Sequence, residues 1–317
     1  MVSLAMPVFN GEKYIGSAIE SLLSQDHENF ELIITDNASD DATPAICRSY
    51  AERDARIRYI ANPRNLGAAP NYNRGFEHAR GTYLKWCAHD DLISPNYLSA
   101  CVAALEADPG ATLAFGRTQC IDDRGALIAG EDADEMGAVD SDRPSRRFYE
   151  AMARGGTCFP IFGVFRMEAL RRSTLHRSYY GSDRALIAEV ALLGRCLLVE
   201  SAVFYNREHP KRSIRMTDHA QRSQWQDTSS KRSASMEHVR LLAHLAEIAN
   251  RHPTVVRREK ALLQVARLAM TPRGLARIGL DLTRYVSPSA GSFLRRAFVG
   301  PPGQATPGAG NQTPHRT

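Results

Sequence analysis

Short apolar runs alternate with helical repeats along the first hundred residues, and this alternation restricts the fold more than any other feature of the chain. Thr43-Pro44 and Ser94-Pro95 are typical helix starts, because a capping side chain precedes a proline that has no amide proton to leave unpaired. Such an alternation predicts βαβ units and a parallel sheet with helices on both faces. The apolar runs lie at 2–6, 30–35, 57–61 and 82–86, and the helical repeats at 11–25, 43–53, 69–79 and 94–107.

The pattern changes after residue 110. Further strands are predicted at 112–120, 127–128, 159–165 and 197–205, with an Asp-Asp-Arg-Gly turn between the first two. Beyond residue 218 only helical periodicity is found, at 236–248, 255–270 and 275–286. We therefore expect an α/β domain at 1–215, a helical C-terminal extension at 216–299 and, because the last residues are rich in glycine and proline, a disordered tail at 300–317.

Composition excludes several classes of protein. A hydrophobic share of 43% and a charged share of 24% are those of an ordinary globular chain. Apolar runs stay shorter than the ~18 residues that a membrane span requires, and the N-terminus MVSLAMPVFNGEKY is unlike a secretory signal. The six cysteines form no CxxC pair, which favours reduced thiols over a disulfide framework or a zinc site. These features predict a soluble, cytoplasmic protein.

Charge is distributed unevenly along the chain. Residues 1–206 contain 21 Lys and Arg against 28 Asp and Glu, whereas residues 207–317 contain 19 against 7. Within the basic part, residues 253–299 combine aliphatic side chains at helical spacing with many arginines. Such a stripe is typical of a helix that lies on anionic lipid. The alternative is that the stripe packs on the α/β domain and the arginines are solvated.

Polar residues follow each of the first four predicted strands, at the end where parallel α/β sheets bind ligands. One such cluster is explained by turn chemistry, because Asn, Asp and Gly favour turns. Four clusters on one edge of a sheet predict a binding site. They are PVFNGE at 7–12, DNASDD at 36–41, NPRNLG at 62–67 and HDD at 89–91.

The cluster at 89–91 has the character of a metal site. Adjacent carboxylates suit a hard divalent cation, and Mg²⁺ or Mn²⁺ needs only one or two of them when a diphosphate supplies further oxygens. Alternatively, Asp90 and Asp91 are turn residues ahead of a helix start. A His-Asp pair also marks a class of metal-dependent phosphohydrolases, but those enzymes take further histidines from a helical scaffold, whereas here a strand precedes the pair.

Three segments together resemble the inverting glycosyltransferases of family 2, which have the GT-A fold. The resemblance extends over roughly residues 1–210 and implies a Rossmann-like nucleotide-binding sheet, a nucleotide-sugar donor and a Mg²⁺ or Mn²⁺ cofactor. PVFNGE is not a GxGxxG fingerprint and no P-loop is present, so phosphate binding through a metal is favoured. The segments are PVFNGEKYIGSAIESLLSQ, FELIITDNASDDAT and IRYIANPRNLGAAPNYNRGFEHARGTYLKWCAHDDL.

The resemblance also implies roles for individual residues. Asp90 and Asp91 stand where the family has its DxD-like motif, with Asp91 as the direct metal ligand. A cation there neutralises the charge that develops on the diphosphate leaving group. The residues implied to contact the nucleotide are Pro7, Val8, Asn10, Glu12, Asp36, which hydrogen-bonds the base, Arg64 and Asn65.

In this family the general base is a carboxylate that opens a helix in the second half of the domain, and Asp183 occupies the matching position. The family often has Glu-Asp where this chain has Ser182-Asp183. An inverting transfer needs such a base to deprotonate the attacking hydroxyl. Alternatively, Asp183 is an N-cap, and a helix N-terminus would favour its charged form and weaken it as a base. Glu189 is expected to be structural.

The segment REHPKRS at 207–213 resembles the part of these enzymes that folds over the donor phosphates. His209 is the candidate metal ligand and Arg212 the candidate partner of the diphosphate, and the alternative is an ordinary basic loop. The QxxRW motif of processive polysaccharide synthases is not found in the sequence, where Ser223-Gln224-Trp225 is only a partial match. Transfer of a single sugar is therefore favoured.

The sequence thus predicts a metal-dependent, inverting glycosyltransferase that moves one sugar to an acceptor hydroxyl in cell-surface glycan or glycolipid synthesis. Its expected partners are the donor, a sugar or lipid-linked acceptor and an anionic surface at the inner membrane face, without nucleic acid. Two other functions compete. A sugar-1-phosphate nucleotidyltransferase would have a glycine-rich, arginine-containing loop in place of PVFNGE. A non-catalytic nucleotide-sugar binding protein would not need both Asp91 and Asp183.

Overall fold

The computed structural model describes residues 1–132, 136–154, 158–210, 212, 215–216, 219–229 and 236–286. Several predicted features lie outside these residues: the tail at 300–317, the arginines at 295 and 296, Lys211 and Ser213. The strands are β1 Val2–Val8, β2 Phe30–Asp36, β3 Ile57–Ala61, β4 Tyr83–Trp86, β5 Leu92–Ile93, β6 Ala111–Ile121, β7 Leu127–Asp132, β8 Val164–Arg166 and β9 Arg195–Arg207. The helices are α1 Ile15–Leu23, α2 Thr43–Arg53, α3 Ala68–Glu77, α4 Tyr97–Ala107, α5 Pro144–Ala153, α6 Met167–Arg172, α7 Ser182–Leu193, α8 His219–Gln226, α9 Glu237–Arg251, α10 Arg258–Ala269 and α11 Pro272–Val286.

The strands form one sheet in the order β3-β2-β1-β4-β8-β6-β9-β5, with β7 paired to β6. Strands β1, β2, β3 and β4 are parallel, and β6 and β9 are parallel to each other. Between these two sets, β8 runs antiparallel to both β4 and β6. The carboxyl ends of the first four strands therefore meet at one edge, as the alternating pattern predicts.

Helices cover both faces of the sheet, and the side chains of β1 alternate between the two cores. Leu4 and Met6 pack in one hydrophobic cluster with residues of α1, α2 and α4. Ala5 points to the other face, where α5, α7, α9 and α10 contribute to a second cluster. A strand buried on both sides is the expected centre of a doubly covered sheet. The predicted mostly parallel α/β fold with a C-terminal helical region is confirmed.

Three local predictions differ from the structure. The strand predicted at 159–165 exists only as β8, because Phe159–Phe162 forms a 3₁₀ turn that contains Pro160 and follows Cys158 at a φ of 63°. Thr43 does not cap α2 but begins it, and its hydroxyl accepts the N–H of Gly11 at 2.8 Å. Ser94 precedes α4 by three residues, and its hydroxyl accepts the N–H of Val203 at 3.0 Å. The two hydroxyls connect distant segments, and sequence periodicity does not report such contacts.

The helical extension completes the second core. Leu245 and Ile248 of α9 are fully buried there, and so is Ala261 of α10. Of the apolar stripe predicted in the basic region, Val256 and Val265 also pack inward, whereas Leu263 and Met270 are exposed. Among the described residues, none of the helices has the length and apolar character that crossing a bilayer would take.

A chain of buried hydrogen bonds joins α9 to α7. The Tyr179 hydroxyl contacts Nδ1 of His244 at 2.8 Å, and Nε2 of His244 contacts the Thr174 hydroxyl at 2.8 Å. Thr174 donates to Glu189 at 2.6 Å, and Glu189 contacts Nε2 of His252 at 2.7 Å. Glu189 is fully buried, so it has the structural role that the sequence indicates. The network fixes the position of α7, which begins with Ser182 and Asp183.

Candidate active site at the carboxyl edge of the sheet

The loops after β1 and β2 are locked together by reciprocal hydrogen bonds. Asn10 has a φ of 53°, and its amide nitrogen donates to Asp40 at 2.7 Å while its side-chain oxygen accepts the N–H of Asp40 at 3.1 Å. Glu12 accepts the N–H of Ala42 at 2.9 Å. The left-handed conformation of Asn10 suits an Asn, whose side chain tolerates it. The two polar clusters therefore form one rim of the site.

Pro7 and Val8 are apolar, unlike the other residues predicted to contact the nucleotide. Both are buried in β1, and the Val8 carbonyl accepts the N–H of Asn37 at 2.8 Å. They shape the rim through the path of the backbone. Phe9, which follows them, is 43% exposed at this edge.

Asp36 ends β2 and is almost completely buried. One of its oxygens accepts the N–H of Ser39 at 3.0 Å, and the other accepts the hydroxyl of Tyr59 at 2.6 Å. Burial and the contact with Asp36 raise the pKa of Tyr59, which keeps its hydroxyl protonated as a donor. An ionised carboxylate has about four acceptor positions, so Asp36 retains capacity for a further donor.

Asparagine side chains tie the loop after β3 to β2. Asn37 donates to Asn65 at 2.9 Å and accepts from Asn62 at 3.1 Å and from the N–H of Leu66 at 2.9 Å. Asn65 is thereby held beside the end of β2, while the side chain of Arg64 is exposed. The sequence places these residues at strand ends, and the structure adds that Asn37 holds the loop in place.

Asp90, Asp91 and His209 come together at the end of β4, as the sequence predicts. The Asp90 carboxylate contacts Nε2 of His209 at 2.9 Å, and Asp91 accepts the backbone N–H of Arg207 at 2.8 Å. Strand β5 follows Asp91 directly and pairs with β9 through Leu92 and Tyr205. This pairing brings the end of the last strand onto the carboxylate turn, although more than a hundred residues separate them.

Arg207 is the residue that organises this turn. Its side chain is buried and donates to the carbonyl oxygen of Asp90 at 2.7 Å and to those of Asp122 and Asp123 at 3.2 Å each. Its guanidinium also lies 5.1 Å from the ring centroid of Tyr14. The fork of donors on one arginine thus joins β9, the carboxylate turn and the turn between β6 and β7.

Arg212 lies in the same loop as His209. It pairs with Glu208 and donates to Asn206 at 2.7 Å. It also lies within electrostatic range of Asp91, whose negative form it favours. Arg212 therefore adds positive charge beside the carboxylate turn, and Glu208 offsets part of that charge.

The two adjacent carboxyls have opposite protonation tendencies. Burial disfavours the charged form of Asp90, but His89 and His209 lower its pKa to about 2. Burial and the neighbouring charge of Asp90 raise the pKa of Asp91 well above its usual range. Two buried carboxylates side by side resist ionising together, and a bound cation reverses that tendency.

Asp183 acts electrostatically on the same tyrosine as this pair. Burial, together with Asp90, Asp91 and Asp183, raises the pKa of the Tyr72 hydroxyl, so all three carboxyls are within electrostatic range of one side chain. Asp183 is the second residue of α7, whose N-cap position is taken by Gly181 at a φ of 90°. The predicted alternative of an N-cap role is therefore wrong.

The surroundings of Asp183 raise its pKa. Burial is the main cause, and it outweighs the N–H of Arg184, which donates to the carboxyl at 2.9 Å, and the thiol of Cys158. A general base works best when its pKa approaches the working pH, so this environment suits proton abstraction. The expected weakening by the helix N-terminus is smaller than the effect of burial.

The donor set at the end of β4 fits a hard divalent cation. Carboxylate oxygens are preferred ligands of Mg²⁺ and Mn²⁺, and an imidazole is compatible with Mn²⁺. Within the parts of the chain that the structure describes, no three His, Cys, Asp or Glu side chains are arranged as a ready-made cation cage.

Two residues near the carboxylate turn, Tyr14 and Asp123, have roles that no sequence pattern predicts. Asp123 sits in the Asp-Asp-Arg-Gly turn, which predicts only a turn, yet it accepts from Lys13 at 2.7 Å and contacts the Tyr14 hydroxyl. Tyr14 also lies against His209, with ring centroids 4.9 Å apart. Both contacts join segments that are about a hundred or more residues apart, which local patterns cannot predict.

The family is decided by a direct match. The model for glycosyl transferase family 2 matches residues 3–176, which is more than half of the chain. The chain belongs to glycosyltransferase family 2. The matched region takes in the edge of the sheet with Asn10, Asp36 and the Asp90-Asp91 pair, and it ends shortly before Asp183.

Curated relatives agree with the family assignment over parts of their length. An uncharacterized glycosyltransferase of Rickettsia felis is 33% identical over 131 residues, which take in 40% of this chain and 21% of the relative. The putative glycosyltransferases EpsH and EpsE of Bacillus subtilis are each 41% identical, over 96 and 106 residues. These take in 30% and 33% of this chain, and 28% and 38% of the relatives. The chain thus spans well under half the length of these family 2 relatives.

Solved structures confirm the GT-A fold. S. aureus TarS in complex with UDP-GlcNAc superposes with a TM-score of 0.54 at 17% identity, covering 90% of this chain and 80% of that chain. The mannosyltransferase PcManGT from Pyrobaculum calidifontis, solved with GDP-Man and Mn²⁺, has a TM-score of 0.52 at 17% identity, covering 94% and 87%. The likeness in both cases is one of fold.

Replacing Arg207 with lysine should destabilise the protein. Lysine keeps the charge but offers one compact donor group, so the partly buried hydrogen bonds to the carbonyl oxygens of Asp90, Asp122 and Asp123 are lost. Loss of their charged donor should cost about 1–3 kcal/mol in the free energy of unfolding, which urea titration measures. Arg117→Lys, on an exposed position of β6 that pairs with Glu200, is the matched control and should change little. Equal losses in the two variants would contradict the role given to Arg207.

Proposed function

We propose that this protein is a metal-dependent, inverting glycosyltransferase that moves one sugar from a nucleotide-sugar donor to an acceptor hydroxyl. The observation that carries the proposal is that Asp90, Asp91 and Asp183 all lie within electrostatic range of the Tyr72 hydroxyl. The first two suit a cation that meets a diphosphate, and the third, with its raised pKa, suits a general base. A transfer between a diphosphate leaving group and a hydroxyl needs both kinds of group within reach of one sugar.

The donor nucleotide is proposed to lie along the rim formed by the first three strand ends. Asp36 has acceptor capacity left for a base N–H, and Arg64 has an exposed guanidinium beside Asn65. Asn10 and Glu12 hold the loop that borders the pocket, and Pro7 and Val8 set the course of its backbone.

Asp91 and His209 are the residues proposed to hold Mg²⁺ or Mn²⁺, with Asp90 positioning His209 through their hydrogen bond. The cation would neutralise negative charge on the departing diphosphate. Arg212 is proposed to add positive charge on the same side, since a guanidinium suits phosphate oxygens. A PcManGT structure that contains GDP-Man and Mn²⁺ is compatible with this arrangement.

Asp183 is proposed to accept the proton of the acceptor hydroxyl. The hydroxyl oxygen then attacks the anomeric carbon on the face opposite the diphosphate, a new C–O bond forms, and the bond to the diphosphate oxygen breaks. The configuration at the anomeric carbon inverts in this single displacement. The hydroxyl proton ends on Asp183, whose raised pKa makes it a better acceptor than an ordinary carboxylate.

The acceptor is proposed to be a sugar or lipid-linked sugar of a cell-surface glycan or glycolipid, reached at the cytoplasmic side of the inner membrane. The basic C-terminal helices support this part of the proposal, because a surface of that charge attracts anionic lipid. The sequence has no complete QxxRW motif, which favours transfer of one sugar at a time over processive synthesis.

Asp91→Asn should abolish metal-dependent donor turnover while the fold is retained. The amide keeps an oxygen that accepts the N–H of Arg207, but it loses the charge that holds the cation. The measurement is release of nucleoside diphosphate from candidate nucleotide sugars, with Mn²⁺ titrated into each reaction. Asp26→Asn, at an exposed carboxyl outside the site, is the control and should match the unaltered protein. Unchanged turnover in Asp91→Asn across the Mn²⁺ titration would rule out the metal assignment.

Asp183→Asn should lower sugar transfer by roughly 10²–10⁴-fold, the usual contribution of a positioned base, with donor affinity preserved. In the unaltered protein, transfer should fall as the pH drops through the raised pKa of Asp183, because only the ionised form accepts a proton. The residual activity of the variant should lack this acid limb. Rates are measured against pH and donor affinity by calorimetry. A collapse of donor affinity in the variant would assign Asp183 to the nucleotide site instead.

A further inference from the structure

Exposed apolar side chains are concentrated on α10 and α11. Eight large hydrophobic side chains are exposed in the described chain, and five of them fall within residues 263–285. Their exposed fractions lie between 50% and 71%. A soluble surface usually scatters such residues, so their concentration on two consecutive helices indicates a contact surface. The five are Leu263, Met270, Leu275, Leu282 and Tyr285.

The spacing of these residues places them along one side of each helix, and together they are called the stripe. Leu263 of α10 and Met270 at its C-cap are two turns apart, and Leu275 and Leu282 are two turns apart on α11, with Tyr285 one turn further. Between residues 257 and 284 the chain has seven Lys and Arg against two acidic residues, of which Asp281 is fully buried. Asp281 accepts the N–H groups of His238 and Val239 and so fixes α11 against α9. The stripe therefore has a basic surround and a fixed support.

A cavity of about 410 Å³ opens between α5 and α10, next to this stripe. Leu263 directly precedes one lining residue of α10, and Met270 lies three residues after another. The Arg267 guanidinium stacks 4.7 Å from the ring centroid of Tyr149. The lining also contains one carboxylate, Glu150, which pairs with Arg146 at 2.8 Å and with Arg154 at 3.4 Å, so the charge of the three lining arginines is only partly neutralised. The lining includes Arg143, Ser145, Arg146, Tyr149, Gln264 and Arg267.

The charge and the donors of the cavity suit a phosphate group. Guanidinium groups bind phosphate oxygens through paired N–H donors, and the Ser145 hydroxyl and the Gln264 amide add neutral donors. A free phosphate ion would bind in the cavity but would not contact the stripe. A phospholipid would satisfy both features at once, because its phosphate enters the cavity while its acyl region meets Leu263 and Met270.

We propose that the cavity between α5 and α10 binds the phosphate of an anionic phospholipid, with the exposed stripe of α10 and α11 lying in the membrane interface. This proposal rests on the lipid-linked acceptor of the proposed function. It identifies the surface through which the protein would approach that acceptor. Arg277 of α11 lies within electrostatic range of Arg184, the residue next to Asp183. Docking through this surface would bring the proposed base toward a membrane-held hydroxyl.

The test is sedimentation of the full chain with vesicles of phosphatidylcholine alone or with phosphatidylglycerol added, at low salt. The unaltered protein should pellet with the anionic vesicles only. A triple variant Arg143→Gln, Arg146→Gln, Arg267→Gln should bind about 10–100-fold more weakly, since each basic residue near an anionic surface contributes about tenfold or less. The matched control Arg53→Gln, Arg80→Gln, Arg117→Gln removes the same charge from exposed positions on other elements and should bind nearly as well.

Two further arms separate the alternatives. Leu263→Ser with Met270→Ser should weaken vesicle binding while thermal stabilisation by inorganic phosphate stays unchanged. Donor turnover in solution should be the same in all variants, so loss of turnover would bear on the proposed function and not on this surface. The proposal is overturned if the intact protein stays in the supernatant, if both arginine triples lose binding equally, or if phosphate stabilises the protein through these arginines without any vesicle binding.

Discussion

The site depends on how Arg207 joins the last strand of the sheet to the carboxylate turn after β4. The backbone N–H of Arg207 holds Asp91, and its side chain holds the carbonyl oxygen of Asp90. The first four strands supply the nucleotide side of the edge, whereas β6 and β9 belong to the half that includes α7. One buried guanidinium therefore ties the proposed metal site to β9, the strand that follows the helix of the proposed base. Its donors are satisfied by backbone oxygens, which makes the arrangement rigid before any substrate binds.

The C-terminal helices contribute to the same rigidity. The buried chain from Tyr179 through His244 and Thr174 to Glu189 ties α9 to the helix that begins with Ser182 and Asp183. Leu245 and Ile248 add apolar packing to that contact. The inner face of the helical extension thus supports the half of the domain that includes α7. Its outer face, on α10 and α11, is exposed and basic. The same segment therefore stabilises the core with one face and carries the proposed membrane-contact surface on the other.

The sequence predicts the parts of this structure that depend on local pattern. Strand and helix periodicity locates the sheet and its binding edge. The resemblance to family 2 predicts that Asp90, Asp91 and His209 lie together, and in the structure they do. Periodicity is wrong at 159–165, where Pro160 and the left-handed Cys158 turn an apolar run into a 3₁₀ turn. It also misplaces the caps of α2 and α4. The hydroxyls of Thr43 and Ser94 do not cap these helices but accept backbone N–H groups of distant segments. The roles of Arg207 and Asp123 come from contacts across about a hundred residues, and such contacts carry no local signal.

The central claim is that nucleotide phosphate is held through a cation at Asp91, and thermal unfolding with nucleoside diphosphates tests it most directly. A ligand that binds only the native state raises the unfolding temperature by mass action. With UDP and GDP screened separately, one of them should stabilise the protein in the presence of Mn²⁺ and lose most of that effect when EDTA is added. The base preference appears in the same experiment. Equal stabilisation with and without Mn²⁺, or stabilisation by neither nucleotide, would contradict the account.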